Sequence, residues 1–385
     1  MRRRIDPAAT SLALVITATI LATTASPLAA QRAQPVASPE VHADGTFTLR
    51  FRAPDAQQVT VVGELDGQTH PMTKDENGVW SVTLGPWAPD VYNYQFLVDG
   101  IVAMDPANPS VKLGFGGFPP ANFVEIPADT LLFYDAKPVP HGSVRMETYH
   151  SQSLGVPRTL WVYTPPGYDE GDGAYPVFYL LHGSGNIDSS WILTGRANLI
   201  LDNLIAEGLA RPMILVMPFG YARQGVGIAP EIAGQTVAGG GNSTTLFARD
   251  LLEDVIPFIE NKFRVLPGRE NRALGGLSMG GGQTVAIGFA NPDIFSWLVI
   301  MSAGATNAPQ SYPEFFNAEV TDRMMDLIWV GIGEDDNLTG ASARALHEAL
   351  TEHGIEHVWR LTPGRHEWNV WRHHLREVAP LLFQD

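Results

Sequence analysis

The stretch RALGGLSMGGGQTVAIGFA, residues 272–290, sets one serine between two different rhythms. RALGGL reads as a short buried strand, and MGGGQTVAIGFA as a helix. Between them lies the G-x-S-x-G pattern Gly276-Leu277-Ser278-Met279-Gly280. The pattern alone is weak in a glycine-rich chain, but strand, tight turn and helix form the context in which it presents a nucleophile. The glycines permit the sharp turn and the close approach of helix and strand. The helix start aims free N–H groups and the positive end of its dipole at the serine. Ser278 is therefore the expected nucleophile.

The same alternation extends outward from this stretch. A hairpin-like pair, RMETYHS then RTLWVYT, is followed by the apolar runs PVFYLLHG, PMILVMP, RALGGL, SWLVIMSAG, LIWVGIG and HVWRLTPG. Helical patterns lie between the runs: NLILDNLIAEG, LLEDVIPFIENKF, GGGQTVAIGFA and SARALHEALTEHG. Continuous apolar strands alternating with amphipathic helices predict an α/β domain with a mostly parallel sheet covered on both faces. Before about residue 100 the period is two instead. Phe47, Leu49 and Phe51 alternate with Thr48, Arg50 and Arg52, and further short strands are separated by turn formers such as Asp75-Glu76-Asn77-Gly78. That pattern predicts a small antiparallel sandwich. At 385 residues, two domains are the natural division. The expected boundaries are a signal peptide over 1–30, a β-sandwich over 38–127, a linker over 128–142 and the α/β domain over 143–385.

The signal-peptide reading rests on Arg2, Arg3 and Arg4, the apolar run from Ser11 to Ala25, and the small residues before Gln31. The run is short for a membrane span. An exported protein, periplasmic or secreted, with no stable membrane insertion after cleavage, is expected. The net charge of −16 repels phosphate backbones, so nucleic acid is not an expected partner. The absence of cysteine excludes disulfides, thiolate nucleophiles and Cys-based metal sites.

A serine nucleophile needs a base, and the base needs an orienting carboxylate. Both belong in loops at the carboxyl ends of later strands. LIWVGIGEDDNL offers Glu334, Asp335 and Asp336, and LTPGRHEWNVW offers His366. The chain order Ser278, Asp336, His366 is that of α/β-hydrolases, with Asp335 as the alternative carboxylate. The backbone N–H of Met279 is the first expected oxyanion donor. The second comes from Leu181-His182-Gly183-Ser184-Gly185, with Ser184 assigned and Gly183 as alternative. The remaining histidines read as solvated or structural, and none forms the HExxH spacing of a zinc hydrolase. No metal and no cofactor are expected.

Together HGSGNIDSSW, GRANLILDNLIAEG, FARDLLEDVIPFIENKFRV, GLSMGGGQ, GEDDNL and PGRHEWNVWR resemble the esterase-D-like esterases. The nearest match among these is to bacterial feruloyl and acetyl-xylan esterases of carbohydrate esterase family 1. The resemblance implies the triad Ser278, Asp336 and His366, and it favours Asp336 through the position of Leu338. It implies an ester-decorated polysaccharide or oligosaccharide as substrate. Gly183, Trp191, Tyr221 and Trp368 are the expected substrate contacts. The N-terminal region is similar to the immunoglobulin-like module, related to family 48 carbohydrate-binding modules, that often precedes such esterases. Its Trp80, Trp87, Tyr92 and Tyr94 could stack on sugar, although core packing is the expected role. Arg365 and Ser184 depart from the family pattern, and residues 219–242 are not clearly matched. Siderophore esterases, exported acyltransferases and a sugar-binding protein with an inactive esterase domain are the alternatives. A neutral imidazole base implies activity that falls below about pH 6 to 7.

Overall fold

Strand alternation in the N-terminal region produces two facing antiparallel sheets. The computed structural model describes residues 36–222 and 240–384, so the expected signal peptide lies outside the described residues, as does most of the 219–242 segment. One sheet has the order Glu40–Val41, Phe47–Arg52, Val79–Leu84, Thr73–Lys74. The other runs His70–Pro71, Val59–Gly63, Asp90–Val98, Ala121–Ile126, Val111–Lys112, with Ile101–Ala103 paired to Asp90–Val98. Phe47, Leu49, Val59, Val61, Phe96 and Val124 fill the space between them. Trp80, Tyr92 and Tyr94 are buried in the same core, and Trp87 lies half-buried against Phe47 and Tyr92. Three of the four aromatic residues are therefore committed to packing.

Residues 127–142 form neither strand nor helix, yet they are not a loose tether. Tyr134 is buried, and Asn203 Nδ2 donates to the carbonyls of Phe133 and Asp135.

The second sheet has eight strands: β1 Ser143–Ser151, β2 Val156–Thr164, β3 Val177–Leu181, β4 Ile214–Pro218, β5 Arg272–Leu277, β6 Trp297–Met301, β7 Leu327–Gly333 and β8 Val358–Thr362. Their order is β1-β2-β4-β3-β5-β6-β7-β8. β2 runs antiparallel to β1 and β4, and the rest of the sheet is parallel. Every residue of β3, β4 and β6 is buried, as continuous apolar runs require of strands covered on both faces.

Two separate cores result. Helices α1 Ala197–Ala206 and α4 Trp368–Val378 cover one face. The other is covered by α2 Met279–Gly288, α3 Gly340–Glu352 and a long helix from Gly240 to Lys262. The long helix contains a π-helical segment over Asp250–Val255, which no hydrophobic period foretold. The carboxyl ends of β3, β5, β7 and β8 converge on one edge, where open α/β sheets place their sites.

Candidate active site

The turn after β5 holds Ser278 at φ 52 and ψ −114, a conformation that costs a non-glycine residue of order 1–3 kcal/mol. The Ser278 N–H donates to Met301 O at 2.8 Å, and α2 begins at the next residue. A Cβ at Gly280 would lie 2.7 Å from His182 O and 2.8 Å from Leu181 Cβ. A Cβ at Gly276 would meet Leu181 Cβ at 2.7 Å. Glycine at these two positions lets the turn press against the end of β3.

His366, in the loop after β8, reaches this turn. Its Nε2 lies 2.9 Å from Ser278 Oγ, and its Nδ1 is 2.7 Å from Asp336 Oδ2. With the carboxylate accepting from Nδ1–H, Nε2 carries the lone pair that can accept from the serine hydroxyl. The imidazole also meets the edge of Trp371, ring centroids 5.1 Å apart.

Asp336 is buried. Its Oδ1 accepts from the N–H groups of Leu338 (3.0 Å) and Thr339 (2.9 Å), and its Oδ2 from Thr339 Oγ1 (2.9 Å). Burial alone would raise its pKa, but the bonds from His366 and Thr339 outweigh it and bring the pKa to about 2. Asp335, the alternative carboxylate, is exposed and only its backbone N–H is used, by Gly364 O.

The expected oxyanion loop lies against the serine. A Cβ at Gly183 would fall 3.1 Å from Ser278 Cβ and 2.5 Å from Leu277 Cδ1, so this position admits no side chain. Ser184 follows on the exposed side. His182, given no role by sequence reasoning, pins the loop. Its Nδ1–H donates to Gly183 O, and its Nε2 accepts from the Gly220 N–H, both at 2.9 Å. Burial pushes this imidazole down to about 4, which keeps it neutral and the tautomer fixed. Gln283 Nε2 donates to Gly220 O at 2.8 Å.

Below lies a buried ion pair, Arg158 Nε with Asp250 Oδ2 at 3.1 Å, joined by Tyr149. Arg158 also donates to the carbonyls of Phe219 and Tyr221. Sequence reasoning gave this cluster no role.

Two expected substrate contacts need correction. Trp191 and Trp368 are 0% and 1% exposed and pack edge to face, 5.2 Å apart. Trp191 Nε1 donates to Leu181 O at 3.0 Å. Both rings begin amphipathic segments whose apolar side turns inward, so they build the core beneath the site. Tyr221 is half-buried, and its hydroxyl accepts from the Gly185 N–H at 2.8 Å. It orders the loop that carries Gly183 and Ser184.

The sandwich closes on this edge from both sides. Phe115 N–H donates to Gly185 O at 3.2 Å, and its ring packs on Phe219 and Tyr221. Across the site, Arg365 Nη2 donates to Leu65 O at 3.1 Å. A cleft of about 270 Å³ lies there, lined by Glu64 and Gly67 of the sandwich and by Asp335, Asn337, Arg365 and His366. Among the described residues, no group of three or more His, Asp or Glu side chains is placed to hold a metal ion. No helix among them is long and apolar enough to cross a membrane.

The family model described as "Putative esterase" matches residues 151–382. That for carbohydrate-binding module 48 (isoamylase N-terminal domain) matches residues 37–107. An endo-1,4-beta-xylanase/feruloyl esterase of Xylanibacter ruminicola is 34% identical over 355 residues, 90% of this chain and 46% of that protein. Endo-1,4-beta-xylanase Y of Acetivibrio thermocellus is 26% identical over 63% of this chain and 23% of its own length. The chain thus spans less than half the length of these relatives. A ferulic acid esterase structure from Anaeromyces mucronatus covers 65% of this chain and 93% of its own, with 26% identity and a TM-score of 0.54. The enterochelin esterase of Shigella flexneri shares the fold over 90% of this chain and 95% of its own, with a TM-score of 0.65 at 17% identity. This chain belongs to the esterase family, a family of carboxylic-ester hydrolases, and carries a sandwich similar to carbohydrate-binding module 48 ahead of its α/β domain.

Proposed function

We propose that this protein is an exported serine esterase that removes feruloyl or acetyl groups from plant cell-wall polysaccharide. The observation that carries the reading is the unbroken hydrogen-bonded chain Ser278 Oγ, His366 Nε2, His366 Nδ1, Asp336 Oδ2 on a strained turn. The 34% identity to a xylanase/feruloyl esterase supports the substrate class. Export rests on the basic and then apolar start of the sequence.

His366 takes the hydroxyl proton of Ser278 as the oxygen attacks the ester carbonyl. The N–H groups of Met279 and Ser184 hold the tetrahedral oxyanion, each contributing about 3 kcal/mol. His366 passes the proton to the departing sugar oxygen, giving the acyl-serine and the free alcohol. It then deprotonates a water that releases the acid and restores Ser278. Asp336 keeps Nδ1 protonated throughout and stabilises the imidazolium.

A siderophore esterase is the second reading, favoured by a fold likeness that spans both domains. The two readings separate on substrate: hydrolysis of methyl ferulate and p-nitrophenyl acetate by the wild type, with loss of both in Ser278→Ala, supports the first. Hydrolysis of a catecholate trilactone without methyl ferulate would replace it with the second. Equal rates in wild type and Ser278→Ala would overturn the serine mechanism.

A further inference from the structure

Ser278 is not the only serine held at positive φ on this edge of the sheet. β5 and β6 are parallel neighbours, and their last residues, Leu277 and Met301, are paired in register. The next residue on each strand is a serine, Ser278 at φ 52 and Ser302 at φ 48. Glycine takes such angles at no steric cost and serine does not, so a serine kept there needs a reason. Ser278 has one as the proposed nucleophile. Ser302 is fully buried and meets no substrate.

Its surroundings supply another reason. Ser302 Oγ accepts from Trp371 Nε1–H at 3.0 Å, and the indole is buried too. That indole stands at 88° to the His366 imidazole, ring centroids 5.1 Å apart. Trp368 packs on it at 5.3 Å and 84°. The backbone closes the circuit. Ser278 N–H donates to Met301 O at 2.8 Å, and Ser302 N–H donates to Gly331 O at 2.7 Å. One turn, Met301–Ser302, therefore carries the backbone of the nucleophile and seats the ring that stands against the base. Asp336 grips the imidazole at Nδ1, 2.7 Å away, and a ring held at one atom can still tilt about that bond.

We propose that Ser302 and Trp371 are positioning residues for the ester hydrolysis: Ser302 seats Trp371, and Trp371 stops the His366 imidazole from tilting away from Ser278. The distance they guard is the 2.9 Å from His366 Nε2 to Ser278 Oγ. The inference rests on the serine-esterase reading and adds to it the support that keeps nucleophile and base in register.

The test uses the full chain and two readouts: hydrolysis of p-nitrophenyl acetate, and the rate at which a fluorophosphonate labels Ser278. Labelling needs the serine–histidine pair but no particular acyl group or sugar. Ser302→Gly is the decisive variant, because glycine relieves the strain at φ 48 while removing the hydroxyl. Were Ser302 needed only for its backbone turn, this change would leave kcat untouched. Trp371→Phe keeps an aromatic ring and loses the N–H. Each variant should lower kcat and the labelling rate about tenfold. KM should stay, because His366 serves acylation and deacylation alike and both steps slow together. The double variant should lose no more than either single one, since both cut the same tether. A kcat within about twofold of wild type in Ser302→Gly overturns the proposal. Losses that multiply in the double variant, or that appear in KM alone, also overturn it. If Trp371→Phe fails to fold, Ser302→Gly decides by the same split between kcat and KM. A wild type that is neither labelled nor hydrolytic would overturn the esterase reading, and this support with it.

Discussion

The contacts that link Ser278, His366 and Asp336 join residues 30 and 88 positions apart, all within one sheet edge. Those that seat the sandwich join residues 282 and 300 positions apart. The first set rests on compact signals: a glycine-flanked serine after a strand, and acidic and histidine loops after later strands. The second consists of single polar side chains meeting across a domain seam. Arg372 of α4, fully buried, donates to Asp90 Oδ1 at 2.6 Å and to Val91 O at 2.9 Å. Tyr134 supplies Asp90 with a further bond at 3.0 Å. Nothing in the period or composition of either segment names its partner. The chemistry is concentrated and the support dispersed, so damage to them should look different.

Damage to the concentrated part should be catalytic and leave the fold intact. Ser278→Ala should lower turnover on the order of a millionfold with an unchanged urea midpoint, and a residual rate within tenfold of wild type would exclude Ser278 as nucleophile. Asp336→Asn should lose about ten-thousandfold in kcat, because the amide no longer selects the productive tautomer. A loss confined to KM would argue against that role.

Damage to the dispersed part should appear first as lost stability. Arg372→Met leaves the Asp90 carboxylate buried without its cation, a change that typically costs about 3–5 kcal/mol. Urea denaturation measures it, and adding Asp90→Asn should recover part of the loss. A cost near zero would mean that the seam contributes little.

Acid should weaken the protein through its buried imidazoles before it titrates Asp336. Burial lowers His182 to about 4 and His374 to about 3, so both are neutral in the fold. In the unfolded chain each takes up a proton below about 6.5, which draws the equilibrium toward unfolding. The stability due to a neutral His182 is present above about pH 6.5 and is lost as pH falls toward 4, about 3 kcal/mol in all. Asp336, held near 2, adds a further loss only below about 4. Urea midpoints between pH 7 and 4.5 should fall steeply in wild type and less so in His182→Gln. The smallest effect belongs to Arg365→Gly, which removes a half-buried bond to Leu65 O and a loose ion pair with Glu367 and should cost about 1 kcal/mol.

The same division explains what could be read beforehand. The apolar runs located all six parallel strands; the inner ones carry their two-sided burial in their own sequence, whereas the edge strand β8 is mostly exposed. That Ser278, Asp336 and His366 would meet was legible because a strand-to-helix turn and two loop positions follow from sheet geometry. Trp191 and Trp368 misled because large aromatic residues beside site loops look alike whether they face substrate or core. Arg365 stood out only as an irregularity until Leu65 and Gly67 supplied its partners. His182, inside the loop motif itself, hid in plain view: its work is done by ring nitrogens directed at Gly183 and Gly220.

The pairing of Asp90 with Arg372 also imposes an order on synthesis. The sandwich leaves the ribosome with Asp90 already in place, while its cation waits 282 residues behind. Domains tend to fold as they emerge, so this one keeps its docking face uncovered until Arg372 has been made. The helix that covers that face follows directly after the loop bearing His366. A growing chain therefore gains its proposed base and the cation of this pair within a few codons of each other. A polypeptide released before that point would lack both the cation of the seam and the proposed base.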